Sequence, residues 1–191
     1  MRVDNHWLIP ARHVVSPNHN ARPEGEVSAV VLHSISLPPG CFGGEAIERL
    51  FTNRLDPAAH PYFATIHALR VSAHVLIRRD GEAVQFVGFD RRAWHAGRSR
   101  WWDGHRERRE LNDFSIGIEL EGDDIHAYRD AQYRCLVRVF TALRAQYPAL
   151  SVERMTSHAH IAPLRKTDPG PAFDWAYFHR CLEEMVDTAS C

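Results

Sequence analysis

Fourteen residues, Ser157-His-Ala-His-Ile-Ala-Pro-Leu-Arg-Lys-Thr-Asp-Pro-Gly170, gather two imidazoles, a lysine and a carboxylate. His33 adds a third imidazole from a distant part of the chain, where it closes the largely apolar run Val27 to Leu32. A hydrolytic zinc takes about three protein ligands from His and Asp or Glu and leaves one position for water. His33, His158 and Asp168 supply that number. The metal would polarise a carbonyl and make a bound water a usable nucleophile near neutral pH. Amide hydrolysis also needs a group that takes a proton and returns it to the departing nitrogen, and a positive charge where the oxyanion forms. Glu119 is the candidate for the first role and Lys166 for the second.

Each of these residues has a plainer use. Thirteen histidines make any single one a weak signal, and an imidazole commonly serves as an ordinary polar side chain. His6, His19, His126 and His179 are read that way. His74 and His95 either line a cleft or satisfy a backbone carbonyl, and His160, two residues from His158, competes with it as a ligand. Asp168 before Pro169-Gly170 equally suits a turn. Lys166 and Glu119 equally suit a plain ion pair.

The elements that would carry these groups form an alternating pattern. Val27 to His33 reads as a central strand with His33 at its C-terminal edge, and Ser115 to Glu121 as a strand that sets Ile116, Ile118 and Leu120 against Ser115, Gly117, Glu119 and Glu121. Glu119 then projects beside a glycine that leaves space. Asp80-Gly81 splits Ala73 to Val87 into a hairpin. Helices are expected over Glu45 to Asn53, over Asp130 to Tyr147, with Tyr133, Leu136, Val137, Phe140 and Leu143 as its apolar stripe, and from about Asp174, burying Trp175, Phe178, Leu182 and Met185. The fold class is mixed α/β (α+β), a central mixed sheet flanked by helices, with long irregular connections at roughly 88–114 and 148–170. Such connections often carry function.

Composition bounds the partners. With 191 residues, 45% of them hydrophobic, the expectation is a single domain over residues 1–191. A formal net charge of -1, from 23 Lys and Arg against 24 Asp and Glu, gives no overall field toward nucleic acid or an anionic membrane. The arginine-rich run Arg98 to Arg109 is broken by Asp103 and Glu107 and reads as a solvated loop. No segment approaches a membrane span, the N-terminus lacks the apolar stretch of a signal peptide, and Cys41, Cys135, Cys181 and Cys191 form no C-x-x-C pair. The expectation is therefore cytoplasmic, with no thiolate metal site.

Four stretches resemble a known family: Val31-Leu-His-Ser-Ile-Ser-Leu-Pro-Pro-Gly40, Trp94-His-Ala-Gly97, Asn112-Asp-Phe-Ser-Ile-Gly-Ile-Glu-Leu-Glu-Gly122 and Ile161-Ala-Pro-Leu-Arg-Lys-Thr-Asp-Pro-Gly-Pro171. In order along the chain, they are similar to the AmpD type of zinc amidase, whose family also contains the peptidoglycan recognition proteins. The resemblance implies one zinc on His33, His158 and Asp168, with Glu119 as catalytic carboxylate and Lys166 stabilising the transition state. It implies cleavage of the amide between the lactyl group of (1,6-anhydro-)N-acetylmuramic acid and L-alanine, in cytoplasmic muropeptide recycling. The partner is then a small anhydromuropeptide, with no nucleic acid, membrane or obligatory protein partner. Trp94 is a candidate platform for the sugar, and Arg70 and Arg165 for carboxylates of the stem peptide. The alternatives are a metal-free peptidoglycan-binding module and an amidase acting on polymeric wall. Departures from the family pattern are Ser34 after the first histidine, Ser157 and His160 around the second, and a longer Trp101 to Leu111 connection.

Overall fold

The strict alternation of Ser115 to Glu121 places that strand at the centre of a six-stranded sheet in the computed structural model, which describes residues 1–189. Cys191 lies outside the described residues. In chain order the sheet strands are β1 (Arg12–His13), β2 (Ala29–Ile35), β3 (Val75–Ile77), β4 (Ala83–Gln85), β5 (Ser115–Glu121) and β6 (Met155–Ser157). Their spatial order is β6-β2-β5-β3-β4-β1. The first four run parallel, β4 returns antiparallel to β3, and β1 is parallel to β4, so the sheet is mixed.

One face of the sheet is apolar. Val30 and Leu32 of β2, Val75 and Ile77 of β3, and Ile116, Ile118 and Leu120 of β5 are all at most 1% exposed. They pack beneath α3 (Asp130–Gln146) and α5 (Trp175–Ala189). The expected stripe on α3 is the buried one, with Cys135 and Val139 beside it. On α5, Phe178 and Leu182 are buried, while Trp175 and Met185 are only partly so. Gln132 in the first turn of α3 accepts from Arg129 N and donates to Glu121 O, which ties the helix start to the end of β5. Two short helices, α1 (Ala46–Phe51) and α2 (Pro61–Ile66), help cover the opposite face, and α4 (His158–Ile161) follows β6 directly.

Several boundaries differ from the sequence reading. The first long strand begins at Ala29 and continues to Ile35, because its ladder with β5 extends through Ser34↔Leu120 and Ile35↔Glu121. His33 therefore sits inside a strand rather than at its edge. The helix expected over Glu45 to Asn53 is shorter, and Asn53 at φ 60 turns the chain away. The hairpin is present, with Gly81 at φ 87 in the five-residue connection between Ile77 and Ala83. The 88–114 connection is not irregular: Arg91–Ala93 pairs with His19–Ala21, and Arg100–Trp102 with Glu107–Arg109. Nor is the arginine run simply solvated. Arg108 lies 3.6 Å over the Phe114 ring and forms a bidentate pair with Glu26.

Glu48 on α1 joins α1, β1 and the β3–β4 hairpin, accepting from Arg12 and from Arg78. Arg12 first, and Arg78 with it, hold its carboxyl down at about 2 against the effect of burial. A depressed carboxyl pKa stabilises the fold above the unfolded value, and that contribution disappears as pH falls through the folded one. Glu48→Gln is therefore expected to lower Tm at pH 7, with the gap to the parent protein closing between about pH 4.5 and pH 2 in thermal melts. A gap that stays constant with pH would refute the assignment.

Candidate active site

Parallel pairing sets the first two groups side by side. Glu119 of β5 is the register partner of His33 on β2, so both side chains leave the same face, opposite the α3–α5 core. Ligand sites in sheets of this kind gather toward the C-terminal ends of the strands, and both residues lie in those halves. β6 then delivers His158 as the first residue of α4, where Ser157 caps the helix by accepting from His160 N at 3.1 Å. Asp168 is brought back to α4 by a backbone bond from Ala159 N to its carbonyl, 2.9 Å, and Tyr128 anchors the next carbonyl, that of Pro169.

His33 Nδ1, His158 Nδ1 and Asp168 Oδ2 thus meet in a triangle with sides of 2.9, 2.9 and 3.0 Å. His33 is 2% exposed and His158 is 3% exposed. Burial pushes the His33 imidazole down to about 4, against its hydrogen bond with Asp168, so His33 is neutral at neutral pH. Burial by itself would raise the Asp168 carboxyl, but bonding to His158 and His33 outweighs it and holds the group well below its ordinary range. His158 Nε2 lies 3.2 Å from Ala96 O, a pure acceptor, so that nitrogen carries a proton and Nδ1 is the atom left to face a metal. Two imidazole nitrogens and a carboxylate oxygen are the donor types zinc takes in hydrolytic sites. The residues present fit such an ion. His160 does not join them; its side chain is exposed.

Glu119 lies at the floor of the same cleft, and its buried Oε2 has no hydrogen-bond partner among the described residues. Burial and then the Asp168 charge raise its pKa well above the usual carboxylate value, with Lys166 pulling the other way. Lys166 lines the cleft too, and no ion pair joins it to Glu119 among the described residues. Glu121, on the same strand face, is instead structural: it accepts from Gly43 N and Arg79 N.

The cleft encloses about 790 Å³. Leu37, Tyr62, Ile66, Leu69 and Trp94 give it apolar walls, while Asp123, Asp124 and His126 contribute polar ones. Trp94 is tethered through Nε1 to Asn20 Oδ1 at 2.7 Å. Arg165 borders the cleft with Nη2 donating to the carbonyls of Ala96 and Arg98. Arg70 is not brought in: it is exposed, and its guanidinium bonds the carbonyls of Ala68 and Leu69 in its own loop. Sequence reasoning missed His126 at the wall and left the role of His95 open. The second had a signal in Gly117, since the space that glycine leaves is filled by the His95 ring.

Residues 23–171 match the family model described as N-acetylmuramoyl-L-alanine amidase. The chain is 56% identical over 188 residues to the 1,6-anhydro-N-acetylmuramyl-L-alanine amidase AmpD of Enterobacter cloacae, covering 98% of each. Against the Escherichia coli K12 protein of the same name it is 58% identical over 179 residues, covering 93% of this chain and 95% of the other. The crystal structure of an AmpD selenomethionine derivative superposes with a TM-score of 0.90 at 57% identity, over 95% of this chain and 99% of that one. The E. coli amidase AmiD, solved with anhydro-N-acetylmuramic acid-L-Ala-D-γ-Glu-L-Lys, gives a TM-score of 0.58 at 26% identity, over 92% of this chain and 60% of that one.

Proposed function

We propose, given that this chain belongs to the N-acetylmuramoyl-L-alanine amidase family, that it hydrolyses the amide between the lactyl group of 1,6-anhydro-N-acetylmuramic acid and L-alanine, using one zinc per chain. The observation that carries this reading is the triangle of His33, His158 and Asp168 beside the unpartnered Oε2 of Glu119 in one cleft. Zinc held by those three residues would polarise the scissile carbonyl and ease deprotonation of the attacking water. Glu119 takes the proton of that water and returns it to the alanine nitrogen as the bond breaks; its raised pKa makes it a better base than an exposed carboxylate. Lys166 supplies positive charge to the oxyanion. Intact ligands argue against a metal-free binding module.

The substrate is a small muropeptide, and the reaction is set in the cytoplasm, within muropeptide recycling. Cys41, Cys135 and Cys181 are free thiols, which suits a reducing compartment, and no helix among the described residues is long and apolar enough to cross a membrane. Trp94 offers its face to the sugar, and Arg165 meets a carboxylate of the stem peptide. Arg165→Ala is expected to lower kcat/KM by about 10- to 100-fold on a peptide that keeps its carboxylates, the loss of one charge-assisted contact. An unchanged kcat/KM would remove Arg165 from recognition.

The test of the function itself is metal content of the purified protein, together with mass-spectrometric detection of free peptide from 1,6-anhydro-N-acetylmuramyl-L-Ala-γ-D-Glu-L-Lys before and after chelation. About one zinc per chain with chelator-sensitive release is the expected result. Binding without cleavage by the zinc-loaded protein would overturn the proposal in favour of a recognition module.

A further inference from the structure

We propose that His95 is a positioning residue that fixes which nitrogen of His33 faces the metal, and that the segment His95–Ala96 orients both ligand imidazoles at once. This inference rests on the zinc reading given above.

A chain of hydrogen bonds leads to His33, and with a metal ion on the His33 Nδ1 lone pair it has one consistent direction. Ser115 Oγ lies 2.6 Å from Leu111 O, and a carbonyl only accepts, so the hydroxyl proton is committed there. Ser115 Oγ is then the acceptor for His95 Nε2, 3.3 Å away. With its proton on Nε2, neutral His95 has a lone pair on Nδ1, and that atom is 2.9 Å from His33 Nε2. His33 then donates through Nε2, which leaves its Nδ1 lone pair for an ion held between it, His158 Nδ1 and Asp168 Oδ2; without the ion, Asp168 Oδ2 at 3.0 Å is an acceptor for a proton on that same nitrogen. The order runs from one backbone carbonyl through a hydroxyl and two rings to the ligand atom.

The neighbouring residue does the same for the second ligand. Ala96 O accepts from His158 Nε2 at 3.2 Å, which leaves His158 Nδ1 for the centre. Both supports thus come from two consecutive residues, and that segment is itself held. Asn112 Oδ1 accepts from His95 N at 3.2 Å and from Ala96 N at 2.8 Å, and Arg165 Nη2 donates to Ala96 O at 3.1 Å. The His95 ring is also confined: a Cβ on Gly117 would fall on it, and the His33 and His74 rings stand edge-on at 5.0 and 5.8 Å. A neutral acceptor suits this place, because a carboxylate there would bury a second negative charge close to Asp168.

The experiment begins with the metal-free parent protein, labelled with nitrogen-15 at histidine and observed by NMR. His95 is expected to carry its proton on Nε2, donating to Ser115 Oγ; a His95 protonated on Nδ1 overturns the proposal whether or not zinc is the cofactor. Zinc affinity is then measured by chelator competition for His95→Leu and His95→Asn. Leucine offers no acceptor and is expected to weaken zinc binding by about 10- to 100-fold. Asparagine, whose side-chain oxygen can stand near the Nδ1 position, is expected to recover most of that loss. Wild-type affinity in the leucine variant, or equal losses in both, would reduce His95 to packing and sink the idea. Ser115→Ala keeps every ring, and is expected to give mixed His95 tautomers and intermediate affinity; a single unchanged His95 tautomer there overturns the relay. A parent protein that takes up no zinc refutes the zinc reading instead, and leaves the tautomer result to judge His95.

Discussion

Glu119→Gln is expected to lower kcat by about 10²- to 10⁴-fold while the protein still takes up one zinc. The substitution preserves the volume and leaves the β2–β5 register intact, since that pairing is made by backbone groups. What it removes is a carboxyl whose Oε2 is buried with no hydrogen-bond partner among the described residues and whose pKa is raised by burial and by Asp168. Such a group is poorly accommodated as structure, because an unpaired buried polar atom costs stability. Glu119→Gln is accordingly expected to keep or slightly raise Tm while catalysis is lost. Steady-state kinetics, metal analysis and a melting curve on the same preparation check this. A variant near the parent rate would transfer the proton-handling role elsewhere; one that lost zinc as well would make Glu119 a ligand.

The parts of this site that were legible in the sequence are those governed by short-range rules. Alternation in Ser115 to Glu121 assigned the faces of β5 correctly, because a period of two leaves a strand only two choices. The stripe on α3 was legible for the same reason with a helical period. Pairing between strands is a different matter, since nothing local in Val27 to Leu32 says that its ladder with β5 runs on to Ile35. That missing information is what misplaced His33 at a strand edge. His158 against His160 was open in sequence because the two flank one small residue. A helix beginning at His158 resolves it, turning the first imidazole inward and leaving the second in solvent. Arg70 failed differently. Its type suited a carboxylate, but an exposed loop arginine with backbone carbonyls beside it folds onto them. His95 was illegible because its meaning lies in three contacts, to His33, Ser115 and Gly117, made by residues far apart in the chain.

Asp168→Asn is expected to abolish stable zinc binding and to cost at least about a thousandfold in kcat/KM, because the metal's contribution to transition-state charge stabilisation is worth several kcal/mol. Asp168 supplies the negative charge of the triangle; His33, neutral at neutral pH, adds none. An amide keeps the shape of the side chain but removes the charge that balances a divalent ion. The local fold is expected to persist, since the bonds that place this turn end on its backbone carbonyls and not on the Asp168 side chain: Ala159 N donates to Asp168 O, and the Tyr128 hydroxyl to Pro169 O. The same change takes away the carboxylate that helps raise Glu119, so the Glu119 pKa is expected to fall toward its ordinary value in the metal-free variant. Zinc titration with a chelating indicator, circular dichroism of the metal-free form and the Glu119 carboxyl resonance read the three expectations separately. Retained zinc affinity would remove Asp168 from the ligand set, whereas a collapsed fold would show that its charge, and not its backbone, holds the turn. Loss of zinc with the fold intact is the outcome the geometry requires, because the triangle joins three segments of chain that other contacts already hold in place.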